Sequence, residues 1–135
     1  MSRTITPAVY MEKAARALSG ARLLLGAGDS EGACNRAYYA MFDAAHAALL
    51  AVRTDISEGS TKTHRGLISA FGKHLVQAAH VAPEFGMALN KVERLRRLAD
   101  YTGDPVSPAD ATWAVGQAEA FVEAMRLKFP TKPPG

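Results

Sequence analysis

The sequence holds a single cysteine, Cys34, among 135 residues. It has no partner for an intramolecular disulfide. That excludes a disulfide-stapled secreted scaffold and points to a reducing, cytoplasmic setting. No run of ~18 apolar residues occurs, so no membrane-spanning helix is expected. The first residues, Met1-Ser2-Arg3-Thr4-Ile5-Thr6, lack the apolar centre of a signal peptide. Metal signatures are missing as well. There is no HExxH and no CxxC, and His64, His74 and His80 stand ten and six residues apart. Neither spacing sets two imidazoles on one helical face in the usual way, so no metal is expected, and no cofactor. The segment Gly66-Leu67-Ile68-Ser69-Ala70-Phe71-Gly72-Lys73-His74 is no phosphate loop: five residues separate its glycines, and His74 stands where Ser or Thr belongs. Basic residues never run to five. Sixteen Lys and Arg against thirteen Asp and Glu leave a net charge of +3, which permits a polyanionic partner such as RNA without demanding one.

What the chain does have is helical periodicity. With 48% apolar and 21% charged residues, it has the balance of an ordinary globular protein and enough length to bury a core. One domain over residues 1–129 and a frayed tail over 130–135 are expected. A first helix starts at Thr6-Pro7, where threonine caps and proline suits the first turn. Tyr10, Ala14, Ala17, Ala21 and Leu24 make its inner face, and Gly26-Ala27-Gly28 ends it. The second runs from Asp29 or Ser30 to about Val52. Tyr38, Phe42, Ala45, Leu49 and Val52 form one apolar face, and Ala37, Met41, Ala44, Ala48 and Ala51 an adjoining one. This helix should therefore be central. Residues 53–60 read as a loop. A third helix covers Thr63 to Ala79 with Leu67, Phe71, Leu75 and Ala78 inward. A fourth runs from Pro83 to about Tyr101 with Phe85, Leu89, Val92 and Leu95 or Ala99 inward. The fifth opens on Ser107-Pro108-Ala109-Asp110, a capping serine with an acid at the capping-box position, and carries Ala111, Val115, Ala118, Val122, Met125 and Phe129.

Two polar groupings stand out from this pattern. Arg36, Tyr39, Asp43 and His46 make a narrow stripe on the second helix. By itself such a stripe reads as a satisfied surface or interface, with Asp43 pairing Arg36 or His46. The segment Glu93-Arg94-Leu95-Arg96-Arg97-Leu98-Ala99-Asp100-Tyr101 sets three arginines in four residues. Guanidinium grips phosphate through parallel hydrogen bonds, and Asp100 and Tyr101 add an anion and a hydroxyl at the helix end.

These segments carry a family resemblance. Ala33-Cys34-Asn35-Arg36-Ala37-Tyr38-Tyr39-Ala40-Met41-Phe42 resembles the R-A-Y-Y-A-M-F segment of HEPN-domain proteins. Thr63-His64-Arg65-Gly66-Leu67-Ile68-Ser69-Ala70-Phe71-Gly72 resembles the segment that follows it, and Arg96-Arg97-Leu98-Ala99-Asp100-Tyr101 resembles the R-x-x-x-D-Y ending. The match runs in order from about Tyr10 to Phe129. It implies an all-α, up-and-down bundle of four main helices plus a short additional one, usually a homodimer. Many such proteins are metal-independent ribonucleases built on an arginine followed four to six residues later by histidine, with two such motifs facing each other across the dimer. Others are toxins paired with a minimal nucleotidyltransferase antitoxin that attaches AMP to a tyrosine near the motif.

The sequence departs from the ribonuclease pattern at one position. Five residues after Arg96 stands Tyr101, not histidine, and Arg94 or Arg97 could also be the motif arginine. With a reference pKa of ~10, only ~0.1% of a tyrosine is phenolate at pH 7, so Tyr101 is a poor base. His64 or His46 could supply an imidazole. The expectation is a dimeric RNA- or tRNA-directed toxin with Arg96, Asp100, Tyr101 and His64 as catalytic residues, and with Arg94, Arg97, Arg36 and Tyr39 as substrate- and phosphate-binding residues. The alternative is a non-catalytic nucleotide- or nucleotidyltransferase-binding module in which Tyr101 is a contact or an AMP acceptor. A plain scaffold is the third reading.

Overall fold

The computed structural model describes residues 6–52, 61 and 63–131. The expected loop over 53–60 and most of the tail, 132–135, lie outside the described residues. Five α-helices are seen: α1 (Pro7–Gly26), α2 (Ser30–Val52), α3 (His64–Phe71), α4 (Pro83–Thr102) and α5 (Pro108–Lys128). No strand occurs among the described residues.

The helix starts follow side-chain capping chemistry. Thr6 Oγ1 accepts from the Val9 amide at 3.3 Å, Thr63 Oγ1 from the Gly66 amide at 2.9 Å, and Ser107 Oγ from the Asp110 amide at 3.1 Å. Asp29 does the same for α2, accepting from the Gly32 amide at 2.8 Å. Each bond satisfies an amide that the first turn leaves without an intrahelical partner. Gly103 closes α4 in the left-handed conformation at φ 73°, which costs a residue without Cβ little.

Helix α2 is the axis of the bundle, packed by α1, α5, α4 and α3. Ala33, Cys34, Ala37, Ala40, Met41, Ala44, Ala45, Ala47, Ala48 and Leu49 are all fully buried. Ten small or slender residues let the neighbouring backbones come close. The bulky filling arrives from the other helices, as Leu67, Phe71, Leu89, Phe121 and Met125. Phe71 and Phe121 meet with ring centroids 5.4 Å apart.

The third helical segment departs from expectation. After Phe71 the winding widens into a π-turn over Gly72–Val76, followed by a turn in which Ala79 takes φ 62°. The wide turn keeps Leu75 in the core, but the chain then swings away, and the Leu75 carbonyl accepts from the His80 amide at 2.8 Å and the Val81 amide at 3.2 Å. Val81 takes the buried place at 4% exposure. Ala78, expected inward, is exposed because the α-period is broken before it.

Candidate functional site

Three helices meet around a buried phenol. Tyr38 on α2 is fully buried, and its hydroxyl lies 2.6 Å from His64 Nδ1 at the start of α3. Across the ring, the Arg96 guanidinium of α4 sits 5.0 Å from the Tyr38 centroid, within cation–π range. Arg96 is held from behind by Asp100, Nη1 to Oδ2 at 3.2 Å, and only 17% of its side chain is exposed. Its Nε is buried and meets no hydrogen-bond acceptor among the described residues. Tyr39 and Phe42 complete an aromatic wall, with ring centroids 5.9 Å and 5.2 Å from His64.

This packing sets the protonation states. Burial, reinforced by Glu93, pushes the Tyr38 hydroxyl well above the ordinary tyrosine range, so it stays a phenol. Burial and then the Arg96 charge lower His64, with Glu93 pulling the other way, so the imidazole is neutral at physiological pH. A buried phenol needs an acceptor for its proton, and Nδ1 is the acceptor at hand. The hydrogen-bond network therefore assigns the proton of Tyr38 to the bond towards Nδ1 and the His64 proton to Nε2. In that tautomer His64 offers an N–H donor to its surroundings.

Those surroundings include an open cavity of about 510 Å³ between α3 and α4, lined by His64, Arg65, Ser69, Asn90, Glu93 and Arg97 among others. Arg97 Nε lies 3.8 Å from Glu93 Oε1. The cavity thus carries an imidazole N–H, two guanidinium groups and one carboxylate, with Arg96 adjoining through Tyr38.

The residues singled out in the sequence divide between four places. Arg96, Asp100 and His64 join one cluster, and Arg97 lines its cavity. Arg94 points elsewhere, into a groove with Gly72, Val76, Met87 and Lys91. Tyr101 is 82% exposed at the end of α4 and makes no ring stack or hydrogen bond with the cluster among the described residues. Arg36 and Tyr39 line a further cavity between α1 and α2, where Asp43 is also found. The polar stripe of α2 faces solvent only at its start: Arg36 is exposed, but Asp43 and His46 are 9% and 7% exposed, and the His46 ring stacks on Tyr10 of α1 at 4.3 Å.

Sequence reasoning missed Tyr38, Arg65 and the position of Glu93. Tyr38 falls on the apolar face and was counted as packing. Its hydroxyl was the available signal, because a tyrosine on a buried face demands a polar partner. Nothing in the spacing says that the partner is His64, since the two lie 26 residues apart.

An all-helical bundle with a buried tyrosine, an imidazole and an arginine converging from three helices defines a class of small helical site. Comparison with known proteins gives the family. Residues 8–128 match the HEPN domain, and the chain belongs to that family. It is 37% identical over 115 residues to the UPF0332 protein glr0978 of Gloeobacter violaceus, covering 84% of this chain and 87% of that protein. It is 33% identical over 116 residues to a Methanocaldococcus jannaschii protein named "Putative toxin MJ0605", covering 86% of this chain and 83% of that one.

Proposed function

We infer that this protein is an RNA-directed toxin that cleaves its substrate without a metal and acts as a homodimer in a reducing cytoplasm. The observation that carries this reading is the Tyr38–His64–Arg96 cluster opening on a cavity flanked by Arg65 and Arg97. Metal-free RNA cleavage needs cationic donors on the scissile phosphate and a base for the ribose 2′-hydroxyl. Arg96 and Arg97 supply charge-assisted hydrogen bonds to phosphate oxygens. His64, with its proton on Nε2, acts as a third donor, in place of the base expected from sequence. Glu93, whose side chain is 15% exposed and which lines the same cavity, is the group placed to take the 2′-proton. The 2′-oxygen then attacks the adjacent phosphorus to form a 2′,3′-cyclic phosphate, and the 5′-oxygen of the next nucleotide leaves, taking up a proton from water. Asp100 fixes Arg96, and Arg94 on the neighbouring groove extends the phosphate track.

Tyr101 belongs to the control of this activity. Its exposed phenol is open to a partner enzyme, and a minimal nucleotidyltransferase antitoxin would transfer AMP to it. The tyrosine oxygen attacks the α-phosphate of ATP, pyrophosphate leaves, and the phenolic proton is released. The added negative charge, one helical turn from Arg97, opposes phosphate binding.

The test is incubation of the purified protein with total tRNA in EDTA, beside Arg96→Ala and Glu93→Gln. Cleavage by wild type that is lost in both variants is the expected result. Equal trace cleavage in all three proteins overturns the ribonuclease reading. The exposure of Tyr101 favours a second reading, a binding module that is modified and does not cleave. It predicts an AMP-sized mass increase on Tyr101 with intact tRNA in every lane.

A further inference from the structure

The cavity between α1 and α2 is separate from the His64 cavity, with no lining residue in common. It has a volume of about 360 Å³ and is lined by Lys13, Arg16, Arg36, Tyr39, Phe42 and Asp43. Two of its lining rings, Tyr39 and Phe42, also pack against the His64 ring. Three cations stand around it. Arg36 lies across Gly20 of α1, where an added Cβ would come within 3.4 Å of its Nε. Lys13 sits over the Tyr10 ring at 5.6 Å, and Arg16 reaches Glu12 at 3.5 Å.

Asp43 is the anomaly. It is nine-tenths buried, at 9% exposure. Lys13 and Arg36 act on it only through space, and it makes no hydrogen bond or ion pair among the described residues. Its oxygens are not sealed off from the cavity, yet burial of the residue disfavours its charge. It repels a simple anion, while the three cations repel a metal ion. The ligand that satisfies all of these groups has a hydrogen-bond donor for Asp43, a negative charge for the cations and a flat ring for the aromatic wall.

We propose that this cavity seats one nucleotide of a single-stranded RNA, with the base amine donating to Asp43, the ring stacked on Tyr39 and Phe42, and the flanking phosphate held by Lys13, Arg16 and Arg36. Ligand cavities begin at ~300 Å³, so the space takes one nucleotide and not two. Base-on-aromatic stacking is the general device for holding single strands, and an acidic side chain accepting from an exocyclic amine is the matching device for choosing the base. Past Tyr39 and Phe42, which pack against His64, the strand continues towards His64 and Arg96. The strand rests on the RNA-directed reading above; the cavity's chemistry does not.

Fluorescence anisotropy with labelled oligocytidine and oligouridine hexamers, with CMP as competitor, tests this. The wild type should prefer oligocytidine by about tenfold, because uridine turns carbonyl oxygens towards the carboxylate. Asp43→Asn, which removes a buried charge and keeps the fold, should lose the preference. The double variant Lys13→Ala/Arg36→Ala should bind both hexamers about tenfold more weakly and with a shallower salt dependence. CMP binding as tightly as the strand would assign the site to free nucleotides and overturn the strand. Equal binding of both hexamers by all three proteins overturns the cavity and leaves the cleavage reading standing. Loss of cleavage in Arg96→Ala with the base preference intact upholds the cavity independently.

Discussion

Tyr38 joins packing to chemistry in one side chain. Its ring fills the space between α2 and Arg96 while its hydroxyl fixes the His64 tautomer. Tyr38→Phe keeps the ring and deletes the 2.6 Å bond. It should cost about 1 kcal/mol of stability, the net worth of one such bond, read by denaturant unfolding. It should also raise the His64 pKa, because the lost donor stabilised the neutral ring. An NMR titration of the imidazole reads both the shift and the tautomer. Asp43 gives a prediction of opposite sign. Burial lifts its carboxyl from 3.8 to about 6, so the folded state holds the proton more tightly than the unfolded chain. The contribution to stability is full below pH ~4 and is lost as pH rises through ~6, and the loss at neutral pH is at most about 3 kcal/mol. Asp43→Asn should therefore raise Tm at pH 7.5 relative to wild type and have little effect at pH 4. A fold that is less stable for keeping this acid is consistent with a functional demand on it.

At the scale of the element, the helices were legible because their signals are local. Thr6-Pro7, Ser107-Pro108 and Asp29 act within a turn of their own position, and α1, α5 and α2 begin where those residues place them. Ser107→Ala should cost about 1 kcal/mol, the worth of one cap, in thermal unfolding. The π-turn at Gly72–Val76 was not legible. Leu67, Phe71 and Leu75 keep the α-spacing in the sequence, which carries no mark of the wider winding that begins at Gly72. The α2 stripe was left open between surface and interface for a related reason: whether a polar face meets water or α1 is decided by where α1 lies, which no spacing within α2 records. Burial also ranks the phenylalanines. Phe71 is fully buried, and Phe71→Ala should cost ~3–5 kcal/mol. Phe42 is half-buried, and Phe42→Ala should cost less in the same denaturant series.

At the scale of the molecule, the family and the all-α fold followed from three ordered motifs, whereas the site did not. Arg96, Asp100 and His64 were identified by residue type, yet their convergence on Tyr38 joins α2, α3 and α4, contacts between segments far apart in the chain. A homodimer would bring two copies of the α4 arginines together and raise the local positive potential. Light scattering at micromolar concentration should give twice the chain mass of 14.4 kDa; a monomer there would count against a composite site. The burial of Cys34 has a consequence of another kind. The thiol is fully inside α2, and burial pushes its pKa up to about 11, so an alkylating reagent reaches it only when the bundle parts. The chain therefore contains its own clock: with a fast reagent in excess, the rate at which this one sulfur is labelled is the rate at which the core opens.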